Sequence, residues 1–98
     1  MANALSDAEI NVELAKLNGW ARDGDELVKE FQFDNYLAGL AFASGVGVIA
    51  EGLNHHPDLV IGWRRVKVSF TTHDAGSKIT AKDVAAAEAI DGLGYPRS

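Results

Sequence analysis

The sequence predicts an α+β domain of two layers, a four-stranded antiparallel sheet with helices packed on one face, in the order α-ββα-ββα. Three observations predict it. Two capping signatures open helical runs near either end, two strand pairs alternate in polarity, and an uncharged helical run separates the pairs.

Ser6-Asp7-Ala8-Glu9 reads as a capping box, in which a serine hydroxyl and a glutamate three residues later satisfy free helix-start amides. Ile10, Leu14 and Leu17 follow at helical spacing, so a first helix spans residues 7–17 and ends at Asn18-Gly19. Two extended segments, 20–22 and 27–33, are joined at Asp23-Gly24-Asp25, a hairpin turn sequence. Leu27, Phe31 and Phe33 share one face of the second; Val28, Glu30 and Gln32 share the other.

Asp34 is the expected N-cap of a long helix reaching Leu53. Phe42, Val46, Ile49 and Leu53 form one stripe along it, widened by Leu37, Leu40 and Val48. Glycines inside it each lower helix propensity by about 1 kcal/mol relative to alanine, so packing must offset them. Pro57 stops the helix, leaving His55 and His56 at or just past its last turn. A second strand pair, 58–61 and 66–72, turns near 62–65; Val66, Val68, Phe70 and Thr72 alternate with Lys67, Ser69, Thr71 and His73. Thr80-Ala81-Lys82-Asp83 opens a last helix lined by Val84, Ala87 and Ile90, which Gly92 and Gly94 stop.

Ninety-eight residues with 47% apolar content suit one domain, 1–98, whose modest core makes further burial by oligomerisation expected. Nine Lys+Arg against fourteen Asp+Glu, a net charge of −5, argue against gripping a nucleic-acid backbone. Without cysteine there is neither a disulfide framework nor a thiolate metal site. Residues 1–9 lack the layout of a secretion signal, and the uncharged stretch 35–50 falls short of the ~20 apolar residues of a membrane span. The expectation is a cytoplasmic protein without a membrane segment, its long helix buried or subunit-facing.

The chain's three histidines, His55, His56 and His73, stand at only two points. Histidine is the side chain that gains and loses a proton near neutrality, so this placement points to proton transfer. The negative end of a helix dipole beside the pair would favour protonated imidazole. Two C-capping histidines before a proline stop is the competing structural reading. A metal site is another: Glu51 and His55 lie four apart, with His73 as a third ligand, although no HExxH or paired-cysteine spacing accompanies them. Trp20 and Trp63, at strand ends or turns, suit either stacking on a flat heterocycle or the rim of the core. Asp83 is a helix-start cap that can also position a histidine or a substrate group.

Gly19-Trp20, the Glu51-to-Pro57 stretch EGLNHHP, Trp63, the strand VKVSFTTH and TAKD together resemble the pterin-4a-carbinolamine dehydratases over nearly the whole chain. The resemblance implies a saddle-like four-stranded sheet assembling into homodimers or homotetramers. It also implies dehydration of a 4a-hydroxytetrahydropterin with no metal or organic cofactor. His55, His56 and His73 fall on the family's active-site histidines, with His55 and His73 the expected acid–base pair and His56 holding the pterin's polar edge. Trp20, Glu51, Asn54 and Asp83 fall on positions around the pterin. Asn54 stands where an acid often precedes the pair, and the loop 74–79 is about one residue longer than the familiar form. Some members also act as dimerisation cofactors of a transcription factor through a helical surface, for which the long helix is the candidate here.

Overall fold

Each helix begins where its local chemistry directs. Ser6 and Glu9 form the reciprocal capping box that starts α1 (Asp7–Lys16) in the computed structural model, which describes residues 3–96. Positions 1 and 2, part of the segment read for a leader, lie outside the described residues. Only Ile10 of α1 is buried; Leu14 and Leu17 pack part-way against the core.

The strands β1 (Ala21–Asp23), β2 (Glu26–Gln32), β3 (Asp58–Ile61) and β4 (Arg65–Phe70) form one antiparallel sheet in the order β1-β2-β4-β3. The central pairing sets Leu27 opposite Phe70 and Phe31 opposite Val66. These side chains and Val68 are buried on the sheet's inner face. The first strand starts one residue later than expected because Trp20 turns into the core, 6% exposed, against Phe31 and Phe70.

The cap of α2 (Tyr36–Leu53) is Asn35, not Asp34: its Oδ1 accepts the Ala38 amide at 2.8 Å. An N-cap side chain reaches the second or third amide of its helix, and Asp34 stands one residue too early. Gly39, Phe42, Ala43, Val46 and Ala50 face inward. The wide apolar face expected of this helix is therefore divided. Ile49 is half-buried, while Leu37, Val48 and Leu53 remain 74%, 72% and 47% exposed, because the sheet covers only one side of a cylinder.

Strand β4 ends at Phe70 rather than Thr72, since its partners run out: Phe70 pairs with Leu27 near the start of β2, and Ser69 with Asp58. Thr72 instead makes an isolated bridge to Lys78, and His73 opens a 3-10 turn, His73–Ala75. The last helix, α3 (Ala81–Asp91), starts from a second capping box in which Asp83 accepts the Thr80 amide at 2.8 Å. Val84, Ala86, Ala87 and Ile90 of α3 join the core.

Candidate functional site

The helix α2 ends at Asn54, whose backbone is left-handed (φ 52°, ψ 41°). Asparagine tolerates this conformation better than most side chains. The His55 amide donates to Ala50 O at 3.1 Å, closing the helix end, and Pro57 forbids a further turn. The two histidines thus leave the helix just past its cap and diverge.

His55 turns inward. Its ring stacks on Phe70, centroids 5.8 Å apart, and Nε2 lies 2.6 Å from Asp83 Oδ1. Asp83 is fully buried, and its other oxygen accepts the Thr72 hydroxyl at 2.8 Å as well as the Thr80 amide. Thr72 spends its hydrogen on Asp83, so Thr80 Oγ1, 2.7 Å away, donates to Thr72 and itself accepts the Lys82 amide. With every buried hydrogen placed, the carboxylate accepts His55 Nε2–H, and only Nδ1 of that ring is left for another partner. The first turn of α3 adds its positive dipole end beside the carboxylate.

His56 turns outward and bonds Glu51 Oε1 at 2.7 Å, both groups exposed. His73 is exposed at the start of the 3-10 turn, with Ser77 Oγ 3.4 Å from Nδ1. All three imidazoles line one groove of about 220 Å³, together with Asn54, Thr71 and Lys82. Larger hollows lie between α1 and α3 and beside Tyr95, but no histidine lines them. The groove is singled out by its composition: two exposed imidazoles share it with one held by a buried carboxylate.

The other expected site residues divide. Asn54 lines the groove, and Asp83 underlies it through His55. Glu51 reaches it only by holding His56. Trp20 lies away from the lining, its indole N–H donating to both oxygens of Asp91 at 3.1 Å. Asp83 and Asp91 are eight residues apart on α3, about 12 Å at the helical rise, so the Trp20 N–H sits at the opposite end of that helix. Glu51 and His55 do not converge as a ligand pair, because each is bonded elsewhere; among the described residues no three metal-ligating side chains gather. Lys82 and Thr72 were not singled out from sequence. Their signal is positional: Lys82 follows the cap of α3 by two residues, and Thr72 continues the inward alternation of β4.

A family model described as pterin 4 alpha carbinolamine dehydratase matches residues 3–93. A Natronomonas pharaonis protein provisionally named pterin-4-alpha-carbinolamine dehydratase is 50% identical over 93 residues, covering 95% of this chain and 98% of its own. A Roseiflexus protein of the same provisional name is 48% identical over 91 residues, covering 93% and 97%. Among solved structures, a transcriptional coactivator/pterin dehydratase from Brucella melitensis superposes with a TM-score of 0.85 at 27% identity, over 93% of this chain and 98% of that one. A pterin dehydratase-like RuBisCO assembly factor of the alpha-carboxysome shares the fold, with a TM-score of 0.65 at 23% identity over 80% and 92% of the chains.

Proposed function

This chain belongs to the pterin-4a-carbinolamine dehydratase family, and from that premise we propose that it is a hydro-lyase converting a 4a-hydroxytetrahydropterin to the quinonoid dihydropterin and water. The observation that carries the reading is the meeting of His55, His56 and His73 in one groove, with His55 held by a buried carboxylate. The reaction breaks the bond between the 4a carbon and its hydroxyl oxygen. An imidazolium supplies the proton that makes water the leaving group. The neighbouring ring nitrogen forms the new double bond and gives its own proton to a base. One proton is given and one is taken, so the residues balance the reaction without a cofactor.

In this scheme His55 and His73 are the acid–base pair. Asp83 fixes the His55 tautomer so that Nδ1 faces the substrate, and His56 with Asn54 meets the pterin's polar edge. Each assisted transfer is worth about 10²–10⁴-fold in rate. We place this chemistry in one domain over 1–98, in the cytoplasm, with a small pterin as substrate and neither nucleic acid nor membrane as partner.

A stopped-flow assay of 4a-hydroxytetrahydropterin dehydration tests the reading. His55→Ala and His73→Ala are expected to lose at least about 10²-fold in turnover while keeping the wild-type circular dichroism spectrum. Folded variants at full activity would refute the acid–base assignment.

A second reading rests on α2. Its outer face presents Leu37 and Val48 to solvent, and added Cβ atoms at Gly45, Gly47 and Gly52 would meet nothing within the chain. The edge strand β3 likewise exposes Val60 and Ile61. These surfaces suit a homodimer or homotetramer. They also suit a role as dimerisation cofactor of a transcription factor, in keeping with the coactivator name of the Brucella structure. Leu37→Asp with Val48→Asp is expected to reduce the sedimenting mass and leave groove chemistry intact. An unchanged mass would remove α2 as the interface.

A further inference from the structure

A second groove, of about 420 Å³, runs between α1 and α3 on neither the histidine side nor the outer face of α2. It exists because Ala8, Ala81 and Ala85 face it where larger side chains would have closed the seam. Leu5, Val12 and Val84 give it an apolar floor, and Val12 is 56% exposed although it is aliphatic. The rim is of one sign: Glu9 and Glu13 stand on the α1 wall, Glu88 on the α3 wall, and no cationic residue is among the lining.

Those carboxylates have few cationic partners. Glu9 and Glu13 are four apart on one helix, a like-charge spacing that works against the helix. The Ser6 backbone N–H, and then its hydroxyl, hold the Glu9 carboxyl below the usual carboxylate range, so it stays charged. Glu13 has only the exposed Lys16, 3.6 Å away, and Glu88 enters no ion pair among the described residues. An apolar trough between acidic walls is the complement of a helix carrying one aliphatic stripe flanked by lysine or arginine. Since Ile10 is the only buried residue of α1, that wall can adjust to an occupant.

We propose that the α1–α3 groove docks a basic amphipathic helical segment of a partner protein. Aliphatic side chains of the segment replace water over Val12 and Val84, and its cations pair with Glu9, Glu13 and Glu88. The binding is independent of the histidine groove.

The test uses the full chain and a fluorescein-labelled 18-residue peptide of leucine and lysine in helical register, followed by fluorescence anisotropy. A leucine–glutamate twin is the control. The leucine–lysine peptide is expected to bind and to weaken as salt is raised. Affinity should fall at least tenfold for the exposed-site double variant V12K/E88K and stay unchanged for L37D/V48D. Amide shifts at Val84 and Ala85 on titration would place the peptide in the groove. Equal binding by V12K/E88K, equal binding of the acidic twin, or loss of binding only in L37D/V48D would overturn the proposal. So would a lower sedimenting mass for V12K/E88K alone, which would make a second copy of this chain the occupant.

Discussion

His55 and His56 are neighbours in the chain, yet they occupy opposite physical regimes within one groove. Each imidazole has a carboxylate at nearly the same distance, 2.6 Å for His55 to Asp83 and 2.7 Å for His56 to Glu51. The side chains of the inner pair are 12% and 0% exposed, those of the outer pair 57% and 79%. Distance alone would rank the pairs as equals. Burial separates them: water and salt compete for the outer pair, whereas the inner pair sits in a closed set of hydroxyl and amide donors that has no replacement. The inner half of the groove thus holds one imidazole in one orientation, while the outer half leaves the other open to solvent.

The largest expected effect comes from removing the inner acid. Asp83→Ala strands His55, Thr72 and the Thr80 amide together, and chemical denaturation should show a loss of about 3–5 kcal/mol. Asp83→Asn is the sharper instrument, because it keeps the shape and most of the hydrogen bonds. An amide nitrogen facing His55 Nε2 would demand the opposite tautomer, placing the ring proton on Nδ1. Turnover is then expected to fall by about 10²–10⁴-fold with little change in KM or fold. Full activity in a folded Asp83→Asn protein would show that the buried pair is structural only, and the contrast between the two histidines would lose its functional meaning.

Next in size is the hydroxyl relay behind the acid. Thr72→Val preserves volume but takes one donor from Asp83 and the acceptor from Thr80. Unsatisfied buried groups of this kind cost about 1–3 kcal/mol. A melting temperature unchanged from wild type would mean that water enters to replace the hydroxyl, and that the inner region is wetter than its burial implies.

What the sequence disclosed, and what it withheld, follows the same line between local and distant contacts. The capping boxes at Ser6 and Thr80, the helix stop before Pro57 and the inward row Val66, Val68, Phe70 depend on residues within a turn or a strand of one another, and each is found where expected. The four-stranded antiparallel sheet follows from two such strand pairs. Asp83 is legible as a cap that can position a histidine, but which histidine it holds is not, since the contact with His55, 28 residues away, requires the register of β4 and the seat of α3. By its neighbours alone Trp20 suits either stacking on a heterocycle or the rim of the core; its burial against Phe31 and Phe70 and its bond to Asp91, 71 positions along, require the assembled fold. The choice between a buried and a subunit-facing α2 stays open in the sequence for a different reason. Apolar periodicity records that a face is to be covered, without saying whether this chain or another supplies the cover.

The smallest expected effect is the most direct check on the contrast between the two pairs. Glu51→Gln removes the charge from the outer pair and leaves a group that can still bond His56 Nε2. An exposed imidazole–carboxylate contact is worth at most about 1 kcal/mol, so stability should change by less than that. If His56 serves to meet the substrate's edge, the kinetic trace of Glu51→Gln lies in KM, raised a few-fold, with turnover nearly constant. A drop in turnover comparable to that of Asp83→Asn would reverse the assignment. It would mean that the solvent-facing imidazole carries the proton, and that burial of the inner pair secures the helix end rather than the chemistry.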